Sequence, residues 1–378
     1  MTAPDVPHER AAAPGAACFA GVRASGVVES VDVRAAPERL AAGGWWAVVG
    51  TFSGEVRAWR FAHVERADDG AAQGRGRGAA WRGPARSSWS SSTDRAGYVA
   101  AVEATREAIR EGEVFQANVC RVLSAPLAPV PDLDGTPREP SAAALAARLA
   151  TGNPAPYAGF VHVPRGGPVP GTWVVSASPE LFLRLEGDRI TSAPIKGTAR
   201  EPEGLTEKDR AENVMITDLV RNDLQRVCAP GTVEVTELLA LERHPGLVHL
   251  VSTVSGVLDP AVAASPERWA RLLGASFPPG SVSGAPKSSA LEVIARLEPV
   301  DRGPYCGTVG WVDADSGRAE LAVAIRTFWW DDADGGTLRF GTGAGITWGS
   351  DPEAEWEETE LKASRLVQIA SSGPDWAP

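Results

Sequence analysis

The sequence reads as an α+β chain, and three observations agree with that class. Short segments with strand-like alternation or β-branched content recur along its length, among them 45–49 (WWAVV), 56–61 (VRAWRF) and 114–123 (VFQANVCRVL). Turn signals such as Gly187-Asp188 and Asp315-Ser316-Gly317 join pairs of them. Helical stripes with start signals separate the groups. These placements agree with the class but do not by themselves choose it.

In order, residues 1–20 are expected to be a disordered tail. Residues 21–93 read as a β-rich region ending in a Gly/Arg/Ser-rich connection, and residues 94–370 as the catalytic domain. The first helix opens at Thr93 or Asp94, stops at Gly112, and puts Tyr98, Val102, Thr105 and Ile109 on one face. The strand 114–123 follows, with Gln116, Asn118 and Cys120 on the face opposite Phe115, Ala117, Val119 and Leu123. An Ala-rich helix near 141–150 and a strand at 157–163 lead to the segment 176–182 (SASPELF), which turns at Pro179 and presents Glu180. The hairpin through Gly187 returns as 194–198 (PIKGT), delivering Lys196.

A long helix then runs from 206 to about 228, with Glu212 on an otherwise apolar stripe, where a lone carboxylate needs a partner. The strand 246–257 carries His249, which reads either as a core histidine or as a group near the chemistry. A helix starts at Ser265 with Pro266 in its first turn. The Gly/Ser-rich loop with Ser281 and Ser283 leaves backbone N–H groups for an anion before the helix at Pro286. A strand pair, 305–312 and 320–328, places Tyr305 and Arg326 at positions that can converge. The last strand is expected to break at 341–345 (GTGAG), where Gly343 and Gly345 allow close backbone approach. The terminal helix starts at Asp351 and lines up Glu355, Glu358 and Lys362. As an exposed helix face, the Glu358–Lys362 pair would contribute only about 0.3–0.5 kcal/mol.

Composition sets the outer limits. The 378 residues suffice for one large domain or two small ones. A net charge of −11 argues against a nucleic-acid binder. No apolar run has the length of a membrane span, and the four cysteines form no metal or disulfide pattern. The expectation is a reduced, cytoplasmic protein. Of 37 basic residues only four are lysines, at 196, 208, 287 and 362. Where positive charge suffices the sequence writes arginine, so a retained lysine points to an amine that can lose its proton.

Glu180 and Lys196 on one hairpin read as a sheet-edge salt bridge or as an acid beside a nucleophile. A resemblance weighs in on the second side. The motifs VFQAN, SASPELF, PIKGT, AENVMITDLVRNDL, the His249 strand and the EETE helix resemble, in order, those of the chorismate-utilising enzymes. The resemblance covers roughly residues 93–366. PIKGT is similar to the signature of the aminodeoxychorismate synthase component I branch, and anthranilate synthases usually carry alanine where Lys196 stands.

The resemblance implies large, mostly antiparallel sheets packed face to face with helices outside. It implies Mg²⁺ held by Glu212 and Glu358, with Glu355 beside them, and Glu180, Lys196 and His249 as catalytic candidates. Substrate contacts would come from Gln116, Tyr305, Arg326, Gly343, Gly345, Lys362, Ser281 and Ser283. Water-adding relatives carry a lysine where Gln116 falls, so the incoming nucleophile is expected to be ammonia. No G-x-C-x-G elbow is present, so that ammonia is expected from a glutamine amidotransferase subunit in a heterodimer, and the substrate is chorismate. The alternatives are an anthranilate- or isochorismate-forming enzyme, and a non-catalytic chorismate-binding subunit.

Overall fold

The computed structural model describes residues 12–66, 81–131, 135–199, 201–244 and 247–372. Strands of five or more residues and helices of nine or more are numbered in chain order. β1 is Ala13–Phe19, β2 Val22–Asp32, β3 Trp45–Gly50 and β4 Val56–Arg66. Helix α1 (Arg95–Arg110), β5 (Gln116–Pro126), α2 (Ala142–Gly152), β6 (Tyr157–Val163), β7 (Thr172–Ser178) and β8 (Leu181–Glu186) follow. Next come β9 (Arg189–Ala193), β10 (Ile195–Ala199), α3 (Glu207–Gln225), β11 (Glu234–His244) and β12 (Leu247–Val257). The chain ends with α4 (Arg268–Ser276), α5 (Lys287–Leu297), β13 (Thr308–Asp313), β14 (Arg318–Val323), β15 (Thr327–Asp331), β16 (Thr337–Ile346) and α6 (Pro352–Ala370).

These strands form one antiparallel sheet. Neighbour by neighbour it runs β6–β1–β2–β4–β3–β13–β14. It then closes, because β14 pairs with β8, and β15 with β7, which returns to β6. Two arms leave this closure. One goes from β8 through β9 to β12, which also carries β10 and β11. The other goes from β15 through β16 to β5. The expected antiparallel architecture is therefore present, with α3 against the first arm and α5 and α6 against the second.

Closure follows from burial. β3 reads WWAVVG and is buried at every position, as a strand paired on both edges and covered on both faces must be. A second apolar cluster gathers Trp173, Trp330, Phe328 and Phe340 against Leu145 and Leu149 of α2 and Leu366 of α6. Both tryptophans donate their indole N–H, to the carbonyls of Pro140 (2.6 Å) and Leu127 (2.8 Å), so the rings are buried without an orphaned donor.

Several expectations need correction. Residues 13–19 are not tail but strand β1, paired with β2 and β6, whose Ala13, Ala17 and Phe19 are buried. Residues 1–11 lie outside the described residues, as do 67–80 of the Gly/Arg/Ser-rich connection. The division at residue 93 is not a structural boundary, since β1 pairs with β6 and β3 with β13. Strand β16 runs unbroken through its glycines because β5 pairs with it over its whole length. The helix expected from Ser265 begins at Arg268. Strand β11 was not anticipated: its pattern is broken by two register shifts and by Leu239 at φ +56°. No helix among the described residues is long and apolar enough to cross a membrane.

Candidate active site

The two long strand pairs shared between closure and arms are both interrupted at one level, and the site begins there. Between β7 and β8 the chain passes through Pro179, which has no N–H to donate. Between β14 and β15 it passes through 324–326. The breaks are stitched together: Val323 N donates to Glu180 O (3.0 Å), Ala177 N to Arg326 O (3.0 Å) and Ser178 Oγ to Val323 O (2.6 Å). Tyr305 and Arg326 are thus not strand residues, as expected from sequence. Tyr305 lies in the turn before β13, its ring packed where a Cβ on Gly341 would be. Arg326 sits at φ +51°, an uncommon backbone state for a non-glycine residue, and its half-buried side chain makes no hydrogen bond or ion pair among the described residues.

Glu180 is 3% exposed. Burial pushes its carboxyl up to about 7, against the opposing pull of the Ser281 hydroxyl, the Lys196 charge and the Ile195 N–H. A carboxyl poised near neutrality suits proton donation to a leaving group.

Lys196 projects from β10 toward the opposite arm. Its Nζ lies 3.1 Å from where a Cβ on Gly345 of β16 would be, as does Asn118 Oδ1 of β5. Burial lowers the ammonium's pKa and Lys362 adds to this, while Glu212, Glu180 and Glu358 oppose it; the net direction is down. Gln116 is fully buried beside the same point, and neither its Oε1 nor its Nε2 has a hydrogen-bond partner among the described residues. Asn118 Oδ1 is also buried and unpartnered there, although its amide donates to Ser281 O at 3.3 Å. Orphaned buried amide atoms are costly, roughly 1–3 kcal/mol each, and in a cleft they point to a ligand that completes them. Arg302, fully buried, fixes this wall by donating to the carbonyls of Asn118 (2.9 Å) and Val282 (3.0 Å).

The carboxylates come from two helix starts. Thr206 and Asp209 form a capping box that sets the first turn of α3. Gly197, at φ +77°, lets that turn approach: a Cβ there would lie 2.8 Å from Asp209 Cβ. Glu212 follows on α3, and Glu355 and Glu358 on α6. Lys208 Nζ joins the two helices, 3.1 Å from Glu355 Oε1 and 3.7 Å from Glu212 Oε1. Glu355 is 4% exposed, so the expected exposed helix face is wrong at that position. Glu358 pairs with Lys362 at 2.6 Å, and Lys362 also donates to Gly343 O at 3.0 Å. Burial and neighbouring carboxylates raise Glu212 despite Lys196 and Lys208. For Glu358 burial also pushes upward, but Lys362, Lys208 and Lys196 outweigh it and the net direction is down.

Among the described residues no three such side chains already surround one point as a metal cage. A hard cation such as Mg²⁺ needs only one or two protein carboxylates, keeping water and substrate oxygens for the rest. The ammonium between Glu212 and Glu355 shows that this donor set accommodates a cation.

Several residues singled out from sequence therefore gather around Lys196: Gln116 and Gly345 by contact, and Glu212, Glu180, Lys362 and Glu358 by charge. Ser281 faces Glu180, whereas Ser283 turns its hydroxyl back to Pro279 O (3.0 Å) and contributes only backbone. Gly343 lies against Cys120. His249 is buried in β12, paired in register with Thr198, two residues on from Lys196. Lys287, counted among the site lysines by scarcity, holds Asp223 (2.7 Å) and Ser276 O (2.9 Å) instead. Asn118, Lys208 and Arg302 were missed. Lys208 had a visible signal: it is one of four lysines and stands four residues before Glu212.

A family model described as chorismate binding enzyme matches residues 65–368. Anthranilate synthase component 1 of Aeropyrum pernix is 39% identical over 288 residues, covering 72% of this chain and 60% of that protein. Aminodeoxychorismate synthase component 1 of Salmonella typhimurium is 34% identical over 293 residues, 74% of this chain and 59% of that protein. The chain thus matches about three-fifths of the length of these two curated relatives. Among solved structures, anthranilate synthase component I from Streptococcus pneumoniae superposes with a TM-score of 0.70 at 22% identity, covering 97% of this chain and 94% of that one. A Bacillus anthracis protein described as a 2,3-dihydroxybenzoate-specific isochorismate synthase gives 0.73 at 23%, covering 96% and 97%. These two likenesses bear on the fold.

Proposed function

Since the chain belongs to the chorismate-binding enzyme family, we propose that it aminates chorismate with ammonia to give 4-amino-4-deoxychorismate, as an aminodeoxychorismate synthase component I. The ammonia would come from a glutamine amidotransferase subunit. The observation that carries this reading is Lys196: a half-buried lysine at Gly345 whose amine desolvation holds below its ordinary pKa, with a carboxyl near 7 among the charges acting on it.

Chorismate carries two carboxylates that are costly to bury unpaired. The unpartnered Arg326 guanidinium suits the enolpyruvyl carboxylate bidentately, with Tyr305 as a further candidate contact. Glu212 and Glu358, with Glu355 beside them, would hold Mg²⁺, which supplies positive charge for the ring carboxylate. Glu180 gives its proton to the departing C4 hydroxyl, which leaves as water. As that bond breaks, the neutral Lys196 amine adds at C2 and the two ring double bonds shift. Ammonia then adds at C4, the double bonds return, and Lys196 leaves C2. The proton shed by the new amine restores Glu180. Gln116 and Asn118 offer carbonyl oxygens on the same wall, acceptors that ammonia can satisfy.

A second reading has its own support. The 39% identical relative is an anthranilate synthase component 1, as is the 38% identical one of Streptomyces coelicolor. In that reading ammonia adds directly at C2. One assay separates them: the purified chain with chorismate, Mg²⁺ and ammonium, the product identified by mass and by a lyase chase. Anthranilate, or no turnover, would sink the first reading.

A further inference from the structure

Lys208 differs from the other site lysines in bridging two helices through carboxylates expected to serve a metal. Its Nζ lies 3.1 Å from Glu355 Oε1, 3.7 Å from Glu212 Oε1 and 3.3 Å from Ser350 Oγ. The far anchors are fixed. Glu355 and Ser350 are 4% and 2% exposed, and Ser350 Oγ also accepts the Thr347 N–H at 3.1 Å. The lysine is not fixed to the same degree: 43% of its side chain is exposed, so solvent lies within reach of its four-carbon stem. A divalent cation held by Glu212 and Glu358, with Glu355 beside them, would compete with this ammonium, whose charge acts on all three carboxylates.

We propose that Lys208 is an exchangeable counter-ion of the cation site, its ammonium neutralising Glu212 and Glu355 until a divalent cation takes its place and the side chain swings to solvent. The inference rests on the reading that Glu212 helps hold the metal. Binding then exchanges one positive charge for two, so the net electrostatic gain is a single charge. The bare site is weak by construction, and it strengthens when a substrate carboxylate arrives as a further negative donor. Lys208 in this way couples cation affinity to substrate affinity, and the coupling is reciprocal.

The test is calorimetric titration of the full chain with Mg²⁺, with and without chorismate, in ammonia-free buffer. Lys208→Met should bind Mg²⁺ about tenfold more tightly than wild type without chorismate, and should gain less from adding chorismate. Lys208→Arg, which keeps the charge, should stay close to wild type. A second readout needs no variant: brief acetylation with acetic anhydride, followed by peptide mass spectrometry. Saturating Mg²⁺ should increase labelling of Lys208 and leave Lys287 unchanged. Equal or weaker Mg²⁺ binding by Lys208→Met, or Lys208 labelling that does not rise, overturns the proposal while leaving the metal reading intact. If the wild type binds no Mg²⁺ with or without chorismate, the metal reading itself falls and takes this inference with it.

Discussion

Lys196 Nζ stands 3.1 Å from the point a β-carbon on Gly345 would occupy, and Gln116 and Asn118 crowd the same point. The glycine is therefore a spatial requirement of the amine. Gly345→Ala should displace the Lys196 and Gln116 side chains together. We expect kcat/KM to fall about 100-fold, for a stability cost of ~1–3 kcal/mol from overpacking. Steady-state kinetics beside a denaturation curve checks this, and a fully active alanine variant would remove Gly345 from the site.

Glu180 gives a pH prediction. Its carboxyl rises from 4.5 to about 7 in the folded protein. Between those values the folded state keeps a proton that the unfolded chain has lost. Its stabilising contribution is full below the lower value and is lost as pH rises through about 7, a change on the order of 3 kcal/mol. Glu180→Gln is neutral throughout and should flatten this fall. Unfolding free energies at pH 5 and pH 8 for both proteins decide it; parallel pH dependence would refute the buried-acid assignment. Wild-type turnover at constant free ammonia should also decline above about pH 7.

Lys196→Arg keeps the charge but cannot lose its proton at any working pH. It should be nearly inactive and should form no adduct with chorismate by intact-protein mass spectrometry. Lys196→Ala should likewise lose the adduct, and its residual product should shift toward addition at C2. An arginine variant with wild-type rate would show that the residue acts as a charge alone.

For the carboxylates, Glu212→Gln and Glu358→Gln should each lower turnover about 100-fold or more, without recovery at high Mg²⁺. If either variant keeps a near-normal rate and Mg²⁺ dependence, that residue is not a ligand.

Much of the site was legible because its chemistry is written in rare letters. Lys196 stood out against an arginine background, and Glu212 against an apolar helix stripe. Tyr305 and Arg326 were found but misplaced, since the kink that sets Arg326 at φ +51° arises from the interrupted ladder and not from any local turn residue. Glu355 read as solvent-exposed because the lysine it pairs with, Lys208, comes from a different helix far back in the sequence. Strand β1 was invisible for a different reason. Its alternation is carried by alanines, whose burial becomes favourable only once β2 and β6 lie on either side.

The closure of the sheet has a consequence for how the chain is made. β1 lies about as early as the described chain goes, yet one of its edges belongs to β6, and β3 waits for β13. Both partners emerge from the ribosome well after the early strands, so the β1–β2–β4–β3 sheet must persist for a time with its β1 and β3 edges open. Open edges invite pairing with other chains, and contacts this distant in sequence form slowly. A fragment beginning at residue 94 would keep every catalytic side chain named above but leave the free edges of β6 and β13 to each other's copies. Its fate should be association, and residues 12–66 serve the chemistry by keeping those two edges occupied.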